Sequence, residues 1–164
     1  MRKIIFSFIM FFMAISAGAQ TTFNIRAGAG VFDYKHTIYD GSWSQTLVAG
    51  GAILAQANIP FGKTSFFTFS PSGIFSIGKN GNDNHVELTM PLFLGYKIPT
   101  GNQCLFFPKI GPMVNMYFND GLITVGPAAE LALELKHFVI SANVHLGLID
   151  TETVGAFATV GYKF

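Results

Sequence analysis

From residue 20 onward, hydrophobic and polar positions alternate along the chain in segments of about 10 to 14 residues. The alternation is clearest in 138–148, where one face is wholly apolar and the other mixes polar residues with glycine. That apolar face consists of Phe138, Ile140, Ala142, Val144, Leu146 and Leu148. A repeat of two residues is the period of a β-strand. The pattern therefore predicts an all-β protein.

Eight such segments follow one another, separated by sequences rich in Gly, Pro, Asn and Asp. The segments are 22–32, 46–58, 65–77, 85–97, 104–117, 122–135, 138–148 and 154–164. The breaks, such as YDGS, PTGN and FNDG, hold the residues that turns favour. None of them resembles an interdomain linker, so we predict a single domain of eight strands.

One segment, ELALELK at 130–136, carries two conflicting patterns. Each of its residues has a high helix propensity. Its three leucines nevertheless alternate with Glu130 and Glu134, and the flanking residues continue this alternation. We interpret it as the sixth strand, because a strand keeps both glutamates on one face and all leucines on the other.

The composition indicates that the apolar faces do not all meet one another. Half of the residues are hydrophobic and 12% are charged, whereas a soluble domain usually carries about a quarter charged residues. Membrane helices are disfavoured, since each needs about 20 mostly apolar residues in a row. Alternating segments of this length are typical of transmembrane β-barrels. The predicted fold is an eight-stranded antiparallel transmembrane β-barrel, whose narrow interior side chains can fill.

The N-terminus has the three regions of a secretory signal peptide. Two basic residues precede the apolar run IIFSFIMFFMAIS, and AGAQ follows it with small residues at the cleavage positions. Cleavage between Ala19 and Gln20 would leave a barrel of residues 20–164. A membrane anchor is the alternative, but the apolar run is short. The mature chain would keep eight basic and nine acidic residues, which gives no basic field for nucleic acid.

Cysteine usage limits the possible chemistry. Cys104 is the only cysteine, so an intrachain disulfide is excluded and no zinc-type cysteine motif exists. We expect Cys104 to be a small apolar filler, and we expect no cofactor.

Several polar side chains are predicted to share the inward face. If 119–120 and 136–137 are two-residue loops, Glu130 lies opposite Lys109 on one side and Asn143 on the other, with Ala128 opposite His145. The predicted lumenal polar network comprises Arg26, Glu87, Lys109, Glu130, Glu134, Asn143 and His145. A buried charge needs a partner, so we interpret this network as a structural plug; the alternative is a catalytic or proton-relay cluster.

Prolines are the feature that fits this fold least well. Five of them lie inside the proposed strands: Pro71, Pro91, Pro108, Pro112 and Pro127. Each removes a donor from the hydrogen-bond ladder. A closed barrel has no edge strand to hold them, so we expect bulges or bends at these positions.

An orientation follows if the N-terminus is periplasmic, because odd strands then run outward. The outer loops would be 33–45, 78–84, 119–120 and 149–153. Only 33–45 is long enough for a recognition surface, although its aromatic residues also suit the membrane interface. One aromatic girdle is predicted from Tyr96, Phe106, Tyr162 and Phe164, and the other from Phe75, Tyr117 and Phe118.

Four stretches carry a family resemblance. FNIRAGAGVF, ELTMPLFLGYKIP, PKIGPMVNMYF and the ending VGYKF resemble the porin-family, PorT-like outer-membrane β-barrels of Bacteroidota. The chain is also similar in size to the OmpA barrel domain and to OmpX. The resemblance implies location in the cell outer membrane among lipid and lipopolysaccharide. It also implies that the strand ending in Phe164 is read by the barrel assembly machinery.

The favoured function is a non-enzymatic, monomeric outer-membrane barrel with a structural or surface-binding role. A lipid-modifying enzyme is one alternative, but Ser141 and His145 are predicted to point inward, away from lipid. A small diffusion pore is another. Phenylalanines predicted to fill the lumen disfavour it: Phe32, Phe66, Phe93 and Phe157.

Overall fold

Nine β-strands form in the part of the chain that the computed structural model describes, residues 21–37, 43–61, 66–81, 83–119, 121–148 and 152–164. The strands are β1 (Thr22–Thr37), β2 (Trp43–Pro60), β3 (Phe67–Asn80), β4 (Asp83–Tyr96), β5 (Ile98–Gly101), β6 (Cys104–Tyr117), β7 (Leu122–Leu135), β8 (Phe138–Gly147) and β9 (Thr153–Lys163). The predicted signal peptide, 1–19, lies outside the described residues. Within these ranges no helix is long and apolar enough to span a membrane.

The eight long strands close into one antiparallel barrel. Consecutive strands pair from β1 to β4, β4 pairs with β6, and the circle continues through β9, which pairs with β1. The short β5 pairs only with the start of β6, at one end of the barrel. The predicted eight-stranded antiparallel barrel is thus confirmed, with β5 added in the connection PTGN.

Side chains alternate between the barrel interior and its outer surface along the eight long strands, whereas all four residues of β5 are exposed. In β9, Phe157 is 3% exposed, while the outward Val154 and Val160 are about half exposed. β8 alternates in the same way over its whole length. Burial every second residue is the property that fixes which face of each strand turns inward.

The segment ELALELK is a strand, as alternation predicted. It lies in β7, where the predicted oppositions are confirmed: Lys109 lies opposite Glu130, Glu130 opposite Asn143, and Ala128 opposite His145. A slip of one residue would turn the glutamates outward. The register of β7 with β6 and β8 therefore keeps both glutamates in the polar interior, where they have partners.

Three predicted placements were wrong. Phe66 precedes β3 and is 40% exposed rather than inside. Tyr117 is buried in the interior rather than placed in an outer girdle, because its position in β6 has inward parity. Of the predicted loop 33–45, residues 33–37 and 43–45 are strand, since β1 and β2 pair as far as Thr37 and Trp43, and residues 38–42 lie outside the described ranges.

The expected bulges at the prolines are also absent from the described long strands. The strand register is the same before and after every proline, and the one register shift lies between Pro99 and Gly101 in β5. A strand of a barrel has two neighbours, and each proline keeps its pairing with one while the ladder to the other lapses. Pro71, for example, pairs with Leu92, whereas the pairing between β2 and β3 skips the position opposite Pro71.

Candidate functional site

The centre of the barrel holds a group of charged and polar side chains around Glu130, here called the Glu130 cluster: Arg26, Gln56, Lys109, Glu130 and Ser141. Arg26 donates from both terminal nitrogens to Glu130, Nη1 to Oε1 at 3.0 Å and Nη2 to Oε2 at 3.1 Å. This two-pronged geometry is the strong form of the arginine–carboxylate pair. Because Arg26 is on β1 and Glu130 on β7, the pair spans the lumen.

Lys109 and Gln56 also contact the carboxylate of Glu130. Lys109 Nζ forms an ion pair with Glu130 Oε1 and donates to Gln56 Oε1 at 2.6 Å. Gln56 Nε2 donates in turn to Glu130 Oε2 at 3.2 Å. Lys109 also lies over the ring of Phe107, with Nζ 4.2 Å from the centroid. Glu130 thus receives donors from β1, β2 and β6.

Polar residues of β8 and β9 extend the cluster. Ser141 Oγ accepts a hydrogen bond from Arg26 Nη1 and another from Asn143 Nδ2, the latter at 3.2 Å, and lies 2.7 Å from Thr159 Oγ1. Arg26 lies opposite Gly161 on β9. The absence of a side chain there leaves space for the arginine, since a Cβ at Gly161 would collide with Arg26 and with the β1 backbone.

A second group, the Glu87 cluster, consists of Glu87, Asn115, Tyr117 and His145. Glu87 Oε2 accepts from Asn115 Nδ2 at 3.0 Å, and the same amide nitrogen lies 3.0 Å from the Tyr117 hydroxyl. Glu87 Oε1 is 3.9 Å from His145 Nε2 and has no hydrogen-bond partner among the described residues. No lysine or arginine of the described chain is within ion-pair distance of Glu87.

His145 is accommodated because the positions beside it are small. It lies opposite Ala128 on β7 and Gly155 on β9, and a Cβ at Gly155 would collide with the imidazole. The ring stacks on Phe157, with the centroids 5.9 Å apart. Neither ring nitrogen has a hydrogen-bond partner within the described ranges.

A third group, the rim cluster, lies at the end of the barrel near β5 and contains Lys97, Glu134 and Lys163. Glu134 Oε2 is 2.8 Å from Lys163 Nζ and 3.8 Å from Lys97 Nζ. Lys97 lies outside the long strands, between β4 and β5. Burial lowers the pKa of its ammonium group, and the carboxylate of Glu134 opposes that shift.

All seven side chains of the predicted lumenal network lie in the interior, but in three separate groups. Arg26 and Lys109 each form an ion pair with Glu130. Asn143 is connected to this group through Ser141, which accepts hydrogen bonds from both Asn143 and Arg26. The other three are apart: Glu87 with His145 in one group, and Glu134 at the rim.

Sequence reasoning missed the amide that joins the central charges, Gln56. Inward parity on β2, read together with the strand order, could have found it, since Gln56 alternates with the buried Leu54 and Asn58. Its partners could not be read from sequence, because they lie 53 and 74 residues away.

Ser141 and His145 do not form a nucleophile–base pair with each other. Ser141 Oγ is bonded by Arg26, Asn143 and Thr159, while the ring nitrogens of His145 are unbonded in the described structure. A serine–histidine pair needs a direct hydrogen bond between the two. The described residues also contain no group of three or more His, Cys, Asp and Glu side chains that could hold a metal ion.

Comparison with known proteins gives similarity in fold. No protein-family model matches the chain, and a search of curated proteins finds no match. The attachment invasion locus protein Ail of Yersinia pestis is 13% identical with a TM-score of 0.51, covering 87% of this chain and 98% of Ail. Neisserial surface protein A is 10% identical with a TM-score of 0.55, covering 86% and 95%. The outer membrane enzyme PagL is 10% identical with a TM-score of 0.51, covering 84% and 98%. The chain therefore has the fold of small outer-membrane eight-stranded barrels.

Proposed function

We propose that this chain is a non-enzymatic integral outer-membrane barrel with a closed lumen and a structural or surface-binding role. The observation that carries the proposal is the crossing of the lumen by Arg26 and Glu130, which ties β1 to β7 through two hydrogen bonds. A carboxylate saturated by arginine, lysine and glutamine has no open position for a substrate.

The outer surface supports membrane insertion. Large apolar side chains face outward on all eight long strands, among them Ile25, Ile53, Phe75, Leu94, Ile110, Leu131, Ile140 and Val160. Water would disfavour such a surface by about 25 cal/mol per Å², whereas lipid accepts it. Flotation of membrane fractions tests insertion, and we expect the protein in the outer-membrane fraction. On a gel, boiled and unboiled samples of that fraction should differ in mobility.

Aromatic packing of the interior argues against a diffusion pore. Phe32, Phe93, Phe107 and Phe157 are each at most 3% exposed, and eight strands leave little lumen beyond such side chains. Single-channel recordings in planar bilayers should show no stable conductance steps. Reproducible steps at a defined conductance would contradict a closed lumen.

A lipid-modifying activity is the alternative to the non-enzymatic role, since PagL, which has a similar fold, is an outer membrane enzyme. The bonding of Ser141 by Arg26 and Asn143 weighs against it. Mass spectra of lipid A from wild-type and deletion cells are expected to be identical. A change in acyl pattern that the wild-type gene restores would overturn the non-enzymatic assignment.

We extend the proposal to family and partners. The motifs quoted above support a place among the PorT-like barrels of Bacteroidota, as a monomer among outer-membrane lipid and lipopolysaccharide. β9 pairs with β1, and Phe164 is 70% exposed beside it, which suits recognition of this strand by the barrel assembly machinery. Replacing Phe164 with serine should lower the amount of heat-modifiable barrel in the outer membrane, measured against an equal level of synthesis.

A further inference from the structure

Glu87 and His145 approach each other across the lumen from two strands that do not pair. Glu87 lies on β4 and His145 on β8, and β6 and β7 separate these strands in the barrel wall. Glu87 Oε1 and His145 Nε2 are 3.9 Å apart, and both side chains are at most 1% exposed. The pair therefore spans the interior as Arg26 and Glu130 do, but its cation can only be a histidine.

The two side chains turn unused hydrogen-bonding atoms toward each other. Glu87 Oε2 accepts from Asn115, whereas Glu87 Oε1 and both ring nitrogens of His145 have no hydrogen-bond partner among the described residues. The imidazole is held in place by its stacking on Phe157 and by its close fit against Gly155. The free carboxylate oxygen and a free ring nitrogen thus form the closest contact of the pair.

The positions that pair with Glu87 and His145 in the neighbouring strands carry no charge at neutral pH. On β3, β6, β7 and β9 these positions are, in turn, Ser76, Tyr117, Ala128 and Gly155. Among them only the Tyr117 hydroxyl can titrate, and it ordinarily does so near pH 10. The immediate surroundings therefore supply no charge that would balance an ionised Glu87.

The other titratable groups that face this part of the lumen have partners of their own or lie farther along the strands. His85 is two residues from Glu87 on β4 and is 8% exposed. Glu130 of β7 lies opposite Asn143, two residues from His145. It forms ion pairs with Arg26 of β1 and Lys109 of β6. In the described ranges neither of these cations is within ion-pair distance of Glu87.

We propose that Glu87 and His145 form a buried proton-binding site, in which one shared proton ties β4 to β8 across the lumen. Without the proton the site holds an uncompensated carboxylate, and with two protons it holds an uncompensated imidazolium. With one proton from the solvent the pair is neutral and can close to a hydrogen bond of about 2.8 Å. Burial penalises net charge, so the two groups titrate as one unit. The site depends on the barrel fold alone.

Such a site makes the stability of the barrel depend on pH. In the unfolded chain above about pH 6.5, a glutamate is ionised and a histidine is mostly neutral. Folding then takes up one proton, so the barrel loses stability as the pH rises. Glu87→Gln removes the carboxyl group and leaves His145 beside a neutral amide. Folding of this variant takes up no proton at the site.

Urea unfolding of the full barrel in detergent micelles at about pH 6.5, 7.5 and 8.5 measures this uptake. The unfolding constant of the wild type, divided by that of Glu87→Gln, should rise at least tenfold over the range, since one proton contributes about tenfold per pH unit. A ratio constant within about twofold, the result expected if water solvates an ionised Glu87, would overturn the proton site. A ratio that falls as the pH rises would overturn it as well.

His85→Gln is the matched control, because it removes the histidine beside Glu87 on the same strand. The rise in the unfolding constant with pH, measured against the double variant Glu87→Gln/His85→Gln, should persist. Loss of the rise would assign the proton to His85 and overturn the pairing with His145. The shift in gel mobility on boiling establishes that each variant folds.

Nitrogen-15 spectra of the histidine-labelled barrel separate a shared proton from a purely structural contact. His145→Gln identifies the ring-nitrogen signals of His145 by their loss. The pH midpoint of these signals should be at least one pH unit lower in Glu87→Gln than in the wild type, which is a tenfold change in proton affinity. Equal midpoints in the two proteins, or wild-type signals that stay those of a neutral imidazole from pH 5 to 9, would overturn the proposal.

Discussion

The Glu130 and Glu87 clusters place the same chemical group in the same barrel with opposite surroundings. Glu130 is met by an arginine, a lysine and an amide. Glu87 is equally buried but is met by the neutral amide of Asn115 and, at 3.9 Å, by His145. One carboxylate is compensated by opposite charge, and one oxygen of the other has no hydrogen-bond partner among the residues that the structure describes.

Burial and an inward position on the strand are therefore not enough to define the surroundings of a carboxylate. A buried ion pair is costly to break because the remaining partner keeps its charge without compensation. A buried carboxylate without a cation is itself a cost. Removal of charge should therefore act in opposite directions at the two positions.

The largest effect is expected for Glu130→Gln. The substitution leaves Arg26 and Lys109 buried beside a neutral amide, so the free energy of unfolding should fall by about 3–5 kcal/mol. Urea titration of the barrel refolded in detergent micelles measures it. A loss below about 1 kcal/mol would show that water reaches these cations.

A smaller effect is expected for Gly155→Ala, which disturbs the packing of His145 beside Glu87. The added methyl collides with the imidazole, and overpacking costs about 1–3 kcal/mol. Gly73→Ala is the matched control, because its methyl meets open space; its unfolding midpoint should be unchanged or slightly higher. Equal midpoints for the two variants would contradict a close-packed His145.

Glu134→Ala should cost less than Glu130→Ala, about 1–2 kcal/mol, although both glutamates are buried. The partners of Glu134 are Lys163 and Lys97, whose side chains are 17% and 15% exposed. Water can solvate these ammonium groups once the carboxylate is gone. Unfolding midpoints of the two alanine variants in urea test the order, and equal midpoints would contradict it.

The smallest change is expected for Glu87→Gln, within about 1 kcal/mol of wild type and on the stabilising side. The amide keeps the shape of the carboxylate and removes an uncompensated buried charge. The same urea titration measures it. A destabilisation as large as that of Glu130→Gln would mean that the charge of Glu87 is matched within the barrel.

The strands could be predicted from sequence because burial in a barrel follows a period of two. This pattern overrode helix propensity in β7 and set its register with both neighbours. The pairing of Lys109 with Glu130 follows from that register, since they lie on consecutive long strands joined by a short turn. The bulges predicted at the prolines were wrong, because a proline can keep its pairing with one neighbouring strand and lose only the pairing with the other.

Alternation and turn length are local properties, so the sequence predicts which strands are neighbours and, apart from residues such as Phe66 and Tyr117, which side chains face inward. Which of the inward charges contact one another across the lumen depends on the three-dimensional arrangement of the strands. Arg26 and Glu130 are 104 residues apart in the sequence and form a direct ion pair. Glu87 also faces inward, but it contacts neither Arg26 nor Lys109. Contacts across a closed barrel depend on the tilt of the strands and on the height of each residue along the barrel axis. The alternation of polar and apolar residues within one strand specifies neither quantity.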